Sequence, residues 1–343
     1  MVNRRPVLLE VKDLRTHFPL SGGLVRAVDG ASFTLHRGET VGLVGESGCG
    51  KSVMARSILR IVPSPGTIAG GQILYHRPVG NQSETVELTA LNADDAMLRF
   101  IRGLEIAMIF QEPTSSFNPV YTIGQHIVEA IRLHQPVSKQ QALQQAVDML
   151  GKVGMPDPAR TVHNYPHQLS GGMCQRAMIA LALSCYPSLL IADEPTTALD
   201  VTTEAQILEL MLDLQHEFGM AILFITHNLG LIAQMTERVL VMYLGRVVEE
   251  ANVDTLFYNP KHPYTQALLR SVPRLGPRDR NARLYSIRGV VPEPYATPPG
   301  CPFHPRCEQM RPGICDQEEP PWVTIVTPTA GRGLHRVRCV LYE

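Results

Sequence analysis

Short apolar runs and longer segments of helical periodicity alternate along the first two thirds of the chain. The runs with the length of strands are residues 7–11, 31–35, 40–44, 108–110, 189–192 and 222–225. Residues 203–218, between the last two runs, have the pattern of a crossover helix. Fully apolar strands joined by such helices are typical of parallel sheets. The patterning therefore predicts an α/β protein with a parallel core.

Two other segments have helical character. Residues 52–61 favour a helix until Pro63 and Pro65 stop it. Residues 120–154 carry apolar side chains near the 3.6-residue period, which predicts a helical insertion. Residues 81–87 are polar, and we expect them to form a surface excursion.

The composition of the sequence changes after about residue 250, where prolines become closely spaced. They are Pro260, Pro263, Pro273, Pro277, Pro292, Pro294, Pro298 and Pro299. Proline fixes φ and removes a backbone donor, so long helices and central strands are disfavoured. The sequence predicts a compact second unit with little regular structure in this region.

Composition limits the class of protein. The 343 residues, with 44% hydrophobic and 18% charged, are typical of a soluble globular protein with one large domain and an appendage. The formal net charge of -1 shows no excess of the positive charge that is typical of nucleic-acid-binding proteins. No apolar run approaches the roughly 20 residues that span a bilayer, and the start lacks the apolar core of a signal peptide. We therefore expect a cytoplasmic protein whose seven cysteines form no structural disulfides.

A glycine-rich loop joins the apolar run at residues 40–44 to the helix predicted at 52–61. Its residues are Gly45, Glu46, Ser47, Gly48, Cys49, Gly50, Lys51 and Ser52. The glycines let backbone N–H groups wrap a polyphosphate, Lys51 reaches the β- and γ-phosphates, and the Ser52 hydroxyl ligates Mg²⁺. An accidental match is rare in a chain with only five lysines. The loop predicts a nucleotide phosphate site.

Two carboxylates follow the apolar run at residues 189–192. Asp193 would lie at the C-terminal end of a parallel strand, where α/β proteins bind ligands, and would hold Mg²⁺ through water. Glu194 would orient and deprotonate the water that attacks the γ-phosphate. Beside a phosphate loop, this pair predicts hydrolysis of ATP rather than a simple strand cap.

Further motifs stand in one order along the chain. Leu169-Ser170-Gly171-Gly172 precedes Asp193, and Thr197-Ala198-Leu199-Asp200 and Thr226-His227 follow it. With the phosphate loop, they make residues 7–250 resemble the ATPase subunits of ABC transporters. The resemblance implies a P-loop NTPase fold over residues 1–255, with a parallel sheet core, an antiparallel β subdomain and a helical insertion at about 112–168. It also implies a head-to-tail dimer, because Leu-Ser-Gly-Gly grips the phosphate bound by a second subunit.

The resemblance assigns roles to single residues. Contact with the ATP bound by the partner subunit is assigned to Ser170, Gly171, Gly172 and Asp200. Mg²⁺ binding is assigned to Ser52, Gln111 and Asp193. Catalysis is assigned to Glu194, His227 and Gln111. His227 would hold the γ-phosphate and Glu194. Phe18 would stack on adenine, which contributes roughly 1–3 kcal/mol and little base selectivity.

Two segments narrow the resemblance to the ATPase subunits of bacterial dipeptide and oligopeptide importers. They are residues 109–119 and 259–269, and the proline-rich end extends the match to nearly the whole chain. By this resemblance, residues 256–343, here called the C-terminal region, form a small Cys- and Pro-rich domain. The implied partners are a second ABC ATPase, as a paralogue or a second copy, two integral-membrane permease subunits and, indirectly, an extracytoplasmic peptide-binding protein. The subunit would be peripheral, at the cytoplasmic face of the bacterial inner (plasma) membrane.

Other cargoes and one other class stay open. An importer of nickel, glutathione or antimicrobial peptides would use the same ATPase features, because the ATPase does not contact the cargo. A soluble ABC ATPase acting on ribosomes or DNA usually has two nucleotide domains, coiled-coil insertions or basic tracts. This chain has one such domain and no basic tract, which favours transport.

Four cysteines fall in the last 43 residues: Cys301, Cys307, Cys315 and Cys339, separated by five, seven and twenty-three residues. Thiolates suit an iron–sulfur cluster or zinc, although zinc sites favour gaps of about two to four residues. Free buried cysteines are the third interpretation. Some importer ATPases carry a [4Fe-4S] cluster in such a region, so the resemblance favours a structural cluster. Because these cysteines are distant in sequence from Glu194, we expect them to support folding and assembly before they affect the phosphate site.

Overall fold

The computed structural model describes residues 5–80, 82–112, 116–197, 199–271, 286–293, 295–326 and 334–343. Some residues of the features above lie outside the described residues: Pro113, Thr114, Ser115, Ala198, Pro273, Pro277 and Pro294. Within the described ranges, no helix combines the length and apolar character needed to cross a membrane. The chain divides into two compact units, each assembled from separate segments.

The strands and helices within those ranges have the following bounds. The strands are β1 (Val7–Leu20), β2 (Gly23–His36), β3 (Thr40–Val44), β4 (Thr67–Val79), β5 (Gln82–Glu87), β6 (Ile106–Ile109), β7 (Leu189–Asp193), β8 (Ala221–Ile225), β9 (Arg238–Tyr243), β10 (Arg246–Asn252), β11 (Val323–Thr324) and β12 (Arg336–Val337). The α-helices are α1 (Lys51–Ile58), α2 (Ala96–Leu104), α3 (Ile123–His134), α4 (Lys139–Lys152), α5 (Pro158–Thr161), α6 (Gly171–Leu183), α7 (Val201–Phe218), α8 (Leu229–Met235), α9 (Val253–Tyr258) and α10 (Pro263–Ser271).

The first unit comprises Met1–Leu9, Thr34–Thr40 and Leu74–Ile225. Its core is a parallel arrangement of β6, β7 and β8, with Ile106 opposite Leu189 and Leu189 opposite Ala221. Every residue of these strands is buried. Burial of both faces explains why the runs are continuously apolar, and it confirms the predicted parallel core.

Helix α7 connects β7 to β8, as the pattern at residues 203–218 predicts. Its N-cap is Asp200, whose carboxylate accepts hydrogen bonds from the N–H groups of Thr202 and Thr203 at 3.1 and 3.0 Å. Its C-cap is Gly219 at φ 65°, a left-handed conformation that glycine adopts without a Cβ penalty. Both ends of the crossover helix are therefore specified locally.

The predicted helical insertion is present in the first unit as two main helices, α3 and α4. Each begins with a capping box, formed by Thr122 with Gln125 and by Ser138 with Gln141. The break between the helices lies at Gln135, which is extended and precedes Pro136. The residue before proline is disfavoured in the helical region, so the chain turns there.

The polar segment expected as a surface excursion is instead the strand β5. It pairs antiparallel with β4, with Leu74 opposite Glu87 and Val79 opposite Gln82. Its residues are exposed or half-buried, so no apolar alternation is needed to keep them in the sheet. The surface position was predicted correctly, but the strand was not visible in the pattern.

The second unit comprises Glu10–Phe33, Val41–Ile73 and Thr226–Glu343. Strand β3 pairs parallel with β9, and β9 pairs antiparallel with β10. Strand β12 then pairs with β10, and β11 with β12, so the end of the chain extends this sheet. After α10, the described elements are short strands and 3-10 turns, in agreement with the expected lack of long regular structure.

Two buried carboxylates of β10 bind side chains near the end of the C-terminal region. Glu249 and Glu250 are both 0% exposed. Glu249 Oε1 lies 2.9 Å from His335 Nε2, while Glu250 forms ion pairs with Arg336 and Arg238. A buried carboxylate is tolerated only with such partners, so these contacts specify where the end of the chain docks.

Candidate functional site

The glycine-rich loop begins where β3 ends, and its glycines are required by close backbone contacts. A Cβ on Gly45 would lie 2.2 Å from the carbonyl oxygen of Met242, and one on Gly50 would lie 2.0 Å from that of Ala27. Gly48 has open space around it but adopts φ 79°. Only glycine combines these close approaches and dihedrals without strain, so the three glycines are required for this loop conformation.

Lys51 is the first residue of α1, and its side chain is buried. Its Nζ donates to the carbonyl oxygens of Gly45 at 2.8 Å and Glu46 at 3.1 Å. These acceptors are neutral, so they hold the ammonium inside the loop without cancelling its charge. The N-cap of α1 is Gly50, which offers no side-chain cap. A cation beside a helix N-terminus attracts an anion.

The thiol of Cys49 lies beside the same ammonium, 3.8 Å from Lys51 Nζ. Burial raises the pKa of Cys49, so the side chain remains a neutral thiol at physiological pH. It packs within the loop and adds no second charge to the place where an anion would bind.

At the end of β7 in the first unit, the structure brings together two of the predicted catalytic residues. Gln111 Nε2 donates to Glu194 Oε2 at 3.1 Å, and Thr197 Oγ1 donates to the same oxygen at 2.9 Å. Glu194 adopts φ 48°, which is uncommon outside glycine, and its N–H donates to Ile225 O. Asp193, the preceding residue, is buried at the strand end. The carboxylate of Glu194 is thus held by two donors in a fixed orientation.

The Leu-Ser-Gly-Gly motif leads into α6, also in the first unit. Ser170 is exposed and is the N-cap, since its Oγ accepts from the N–H of Met173 at 3.3 Å. Gly171 and Gly172 form the first turn, and a Cβ on Gly172 would lie 2.8 Å from Thr203 Cγ2. The motif therefore presents an exposed hydroxyl and a helix N-terminus at the surface.

Asp200, at the start of α7, is likewise exposed. Hydrogen bonds from Thr203, first from its backbone and then from its side chain, lower the pKa of Asp200, so it is a carboxylate at neutral pH. The same hydrogen bonds hold the Asp200 side chain at the N-terminus of α7, where it is the N-cap.

Phe18 and His227 both lie in the second unit. The ring of Phe18 is half-buried, with one edge against Gly66, where a Cβ would lie 2.4 Å from Phe18 Cε1. His227 is exposed just after β8 and beside Asn228, the N-cap of α8. The predicted residues thus divide between the units: Phe18, the glycine-rich loop and His227 in the second, and Gln111, Ser170 to Gly172, Asp193, Glu194 and Asp200 in the first.

The four cysteines of the C-terminal region line one cavity. Cys301 donates its N–H to Cys315 O at 2.8 Å, and burial raises the pKa of Cys301 to about 12 and that of Cys339 to about 11. Cys301 and Cys339 are therefore neutral thiols at physiological pH. Across the described ranges, no three His, Cys, Asp or Glu side chains are grouped as ligands of a metal ion. The fold therefore places Cys301, Cys307, Cys315 and Cys339 around the same cavity.

Comparison with known proteins decides the family. Residues 28–197 match the family described as ABC transporter, and residues 248–315 match the C-terminal region of oligopeptide/dipeptide transporters. The oligopeptide transport ATP-binding protein AppD of Bacillus subtilis is 48% identical over 338 residues, covering 98% of this chain and 97% of AppD. This chain belongs to the ATP-binding subunits of ABC peptide importers. The dipeptide transport ATP-binding protein DppD of Escherichia coli is 46% identical over 313 residues, covering 91% of this chain and 92% of DppD.

Solved structures confirm the ABC ATPase fold. The dimeric ATP-binding cassette MJ0796, in a post-hydrolysis state bound to ADP and Pi, has a TM-score of 0.60 and 25% identity, covering 72% of this chain and 99% of that one. The structure of cbiO1 from Clostridium perfringens has a TM-score of 0.59 at 24% identity. The fold predicted from the motifs is therefore correct.

Sequence motifs missed three residues that touch the predicted site residues of this ABC ATPase. Thr197 binds Glu194, while Tyr264 and Arg306 bind Glu46. Thr197 lies inside a motif and could have been noticed for its hydroxyl. Tyr264 and Arg306 are 218 and 260 residues from Glu46, so no local pattern signals their contact.

Proposed function

We propose that this chain is the ATP-hydrolysing subunit that powers import of dipeptides or oligopeptides through a membrane permease. The observation that carries the proposal is the Glu194 carboxylate, held by Gln111 and Thr197 at the end of β7. A carboxylate held in one orientation by two donors is placed to act as a general base toward water. Family membership supplies the substrate, ATP, and the coupling to transport.

The glycine-rich loop is assigned to the triphosphate. Its backbone N–H groups would bind the phosphate oxygens, and Lys51 would exchange its carbonyl acceptors for the β- and γ-phosphates. Phe18 would stack on adenine. His227 would hold the γ-phosphate. The loop thus binds and orients ATP, and Glu194 supplies the base.

Mg²⁺ is the metal that this assignment requires. Ser52, Gln111 and Asp193 would hold it, and their hydroxyl, amide and carboxylate oxygens are the ligands that Mg²⁺ prefers. When bound, it would offset negative charge on the phosphates. A carboxylate as buried as Asp193, at a strand end, suits a role as a metal-facing group.

We assign Ser170, Gly171 and Gly172, together with Asp200, to the site of a partner ATPase. The N-terminus of α6, with the exposed hydroxyl of Ser170, can bind the γ-phosphate held by the loop of a second subunit. ATP would close such a head-to-tail dimer, and hydrolysis would reopen it. The partner is a paralogue or a second copy, and the pair docks on two permease subunits at the cytoplasmic face of the inner membrane. A peptide-binding protein outside would select the cargo.

We also assign a [4Fe-4S] cluster to Cys301, Cys307, Cys315 and Cys339. The shared cavity supports it, and in such a cluster each thiolate binds a different iron, so the sulfurs stand farther apart than around one zinc ion. The test is anaerobic purification with iron, sulfide and zinc analysis and a visible spectrum. Stoichiometric zinc, or a folded metal-free protein, would contradict the cluster.

The transport proposal is tested on the native complex. A tagged chain is purified from membranes, the co-purifying subunits are sequenced, and the complex is reconstituted in vesicles with its binding protein. We expect ATP-dependent uptake of labelled dipeptide or oligopeptide, lost with Glu194→Gln. Uptake of nickel or glutathione, but not of peptide, would contradict the assignment of peptides as the cargo. Purification without any permease would contradict the proposed role in transport.

A further inference from the structure

We propose that Tyr264 and Arg306 are positioning residues for the phosphate loop, so that the C-terminal region sets the affinity of this subunit for ATP. The inference rests on the proposed role of residues 45–52 in binding ATP. Both residues act on Glu46, the second residue of the loop. The C-terminal region would then have a part in nucleotide binding that is separate from any metal it holds.

Arg306 forms a two-point ion pair with the side chain of Glu46. Its Nη1 donates to Glu46 Oε2 at 2.7 Å and its Nη2 donates to Oε1 at 3.1 Å. The Arg306 side chain is 4% exposed, and its Nε donates to Arg288 O at 3.1 Å. Bidentate charge-assisted bonds fix direction as well as distance. The Glu46 side chain is therefore bound by the Arg306 guanidinium, whose position is fixed by a hydrogen bond within the C-terminal region.

Tyr264 holds the backbone of the same residue. Its hydroxyl accepts the N–H of Glu46 at 2.8 Å, and its side chain is fully buried in α10. Burial raises the pKa of Tyr264, so the hydroxyl stays neutral and keeps its place. Two elements of the C-terminal region thus bind one loop residue, one through the main chain and one through the side chain.

An aromatic cluster supports both contacts. Tyr243 packs against Tyr264 and Phe303 with ring centroids 4.6 and 5.3 Å apart, and Tyr264 lies 5.4 Å from Phe303. The Tyr243 hydroxyl lies 3.3 Å from Arg306 Nη1 and accepts from it. Tyr243 follows Met242, whose carbonyl abuts Gly45. The rings therefore form a rigid base beneath the start of the loop.

The contacts to Glu46 also affect the Lys51 ammonium, which is the group that would bind the phosphates. The carbonyls of Gly45 and Glu46 are the two that hold Lys51 Nζ. Movement of Glu46 would displace both. In addition, Arg306 neutralises a carboxylate that stands in the phosphate loop, where an unpaired negative charge would repel ATP. Positioning and charge compensation both predict weaker ATP binding once the pair is broken.

The charge argument makes a specific prediction about a double variant. Arg306→Gln leaves the Glu46 carboxylate without its ion-pair partner and should weaken ATP binding by about tenfold, the range expected for a lost charge-assisted pair. Glu46→Gln in that background removes the repulsive charge and should recover part of the affinity. Tyr264→Phe removes one hydroxyl and should weaken binding by roughly threefold to tenfold. A purely structural role for Arg306 predicts no recovery in the double variant.

The experiment measures equilibrium binding of trinitrophenyl-ATP, and its displacement by ATP, on the purified full chain. Arg338→Gln and Tyr342→Phe are matched controls: Arg338 pairs with Glu319, and Tyr342 donates to Lys261 O at 3.0 Å, both in the C-terminal region and away from the loop. The midpoint of thermal unfolding is recorded for each variant. In the assembled complex, KM for ATP should rise more than kcat falls.

The outcomes are distinct. Weaker binding by Arg306→Gln and Tyr264→Phe, with normal controls and partial recovery in the double variant, supports the inference. Normal ATP affinity in Tyr264→Phe and Arg306→Gln, or equal losses in the controls, overturns it while leaving the proposed function intact. No ATP binding by the unchanged chain overturns both. If Arg306→Gln does not fold, the single-atom change Tyr264→Phe decides the question.

Discussion

The side-chain amide of Gln111 donates to the carboxylate of Glu194 at 3.1 Å, although 83 residues separate the two along the chain. Gln111 follows β6 and Glu194 follows β7, and these strands are parallel neighbours. Their carboxyl ends therefore meet at one edge of the sheet. The pairing links the residue assigned to sense Mg²⁺ with the residue assigned to activate water.

Glu194→Gln should stop turnover and preserve ATP binding. The amide keeps the size of the side chain and can still bind Thr197, but it cannot take a proton from water. We expect a loss of about 10²–10⁴-fold in kcat, the usual contribution of a general base. ATPase assays on the assembled complex measure it. Glu209→Gln, at an exposed position of α7, is the matched control. Near-normal hydrolysis by Glu194→Gln would refute the assignment.

Lys51→Ala should weaken ATP binding itself, in contrast to Glu194→Gln. Its ammonium is the buried cation of the phosphate loop, held by two carbonyls. We expect a loss of at least about tenfold in affinity, measured by nucleotide titration. Lys139→Ala, at the start of α4, is the control that removes an exposed lysine. Unchanged affinity in Lys51→Ala would place the triphosphate elsewhere.

Turnover by the isolated chain should be slow and should rise with protein concentration or on assembly. Ser170 is exposed at the start of α6 and is assigned to the partner's ATP, so one chain lacks a complete site. Ser170→Ala should leave ATP affinity of the isolated chain unchanged and lower kcat of the assembled complex. Fast turnover that does not depend on concentration would contradict the shared site.

Cys307→Ser should lower ATP affinity as well as disturb the C-terminal region. The residue directly before Cys307 is Arg306, which binds Glu46 in the phosphate loop. This revises the expectation, drawn from sequence distance, that loss of a cysteine affects assembly before the phosphate site. Nucleotide titration and iron analysis on the same preparation test it. Cys185→Ala, a buried cysteine of the first unit, is the control. Loss of iron with unchanged ATP affinity would restore the original expectation.

Local signals predicted much of the fold and the order of the site. Residues 40–44 form a short, mostly apolar run. The glycines that follow permit a backbone that other residues cannot adopt, so strand, loop and helix could be predicted from neighbouring residues. Strand β5 was missed because an exposed edge strand needs no apolar alternation. The break between α3 and α4 was not placed, although Gln135-Pro136 marks it.

By itself, the sequence determined the motifs, the elements that carry them and the family to which they belong. Each of these depends on neighbours within a few residues, through periodicity, glycine dihedrals and helix caps. Only the tertiary structure decided that Arg306 and Tyr264 hold Glu46 and that β12 adds to β10. Those contacts join residues that are far apart in the chain, so no local pattern predicts them. Burial strengthens the hydrogen bonds that Arg306 and Tyr264 make to the phosphate loop, because the interior has a lower dielectric constant than water.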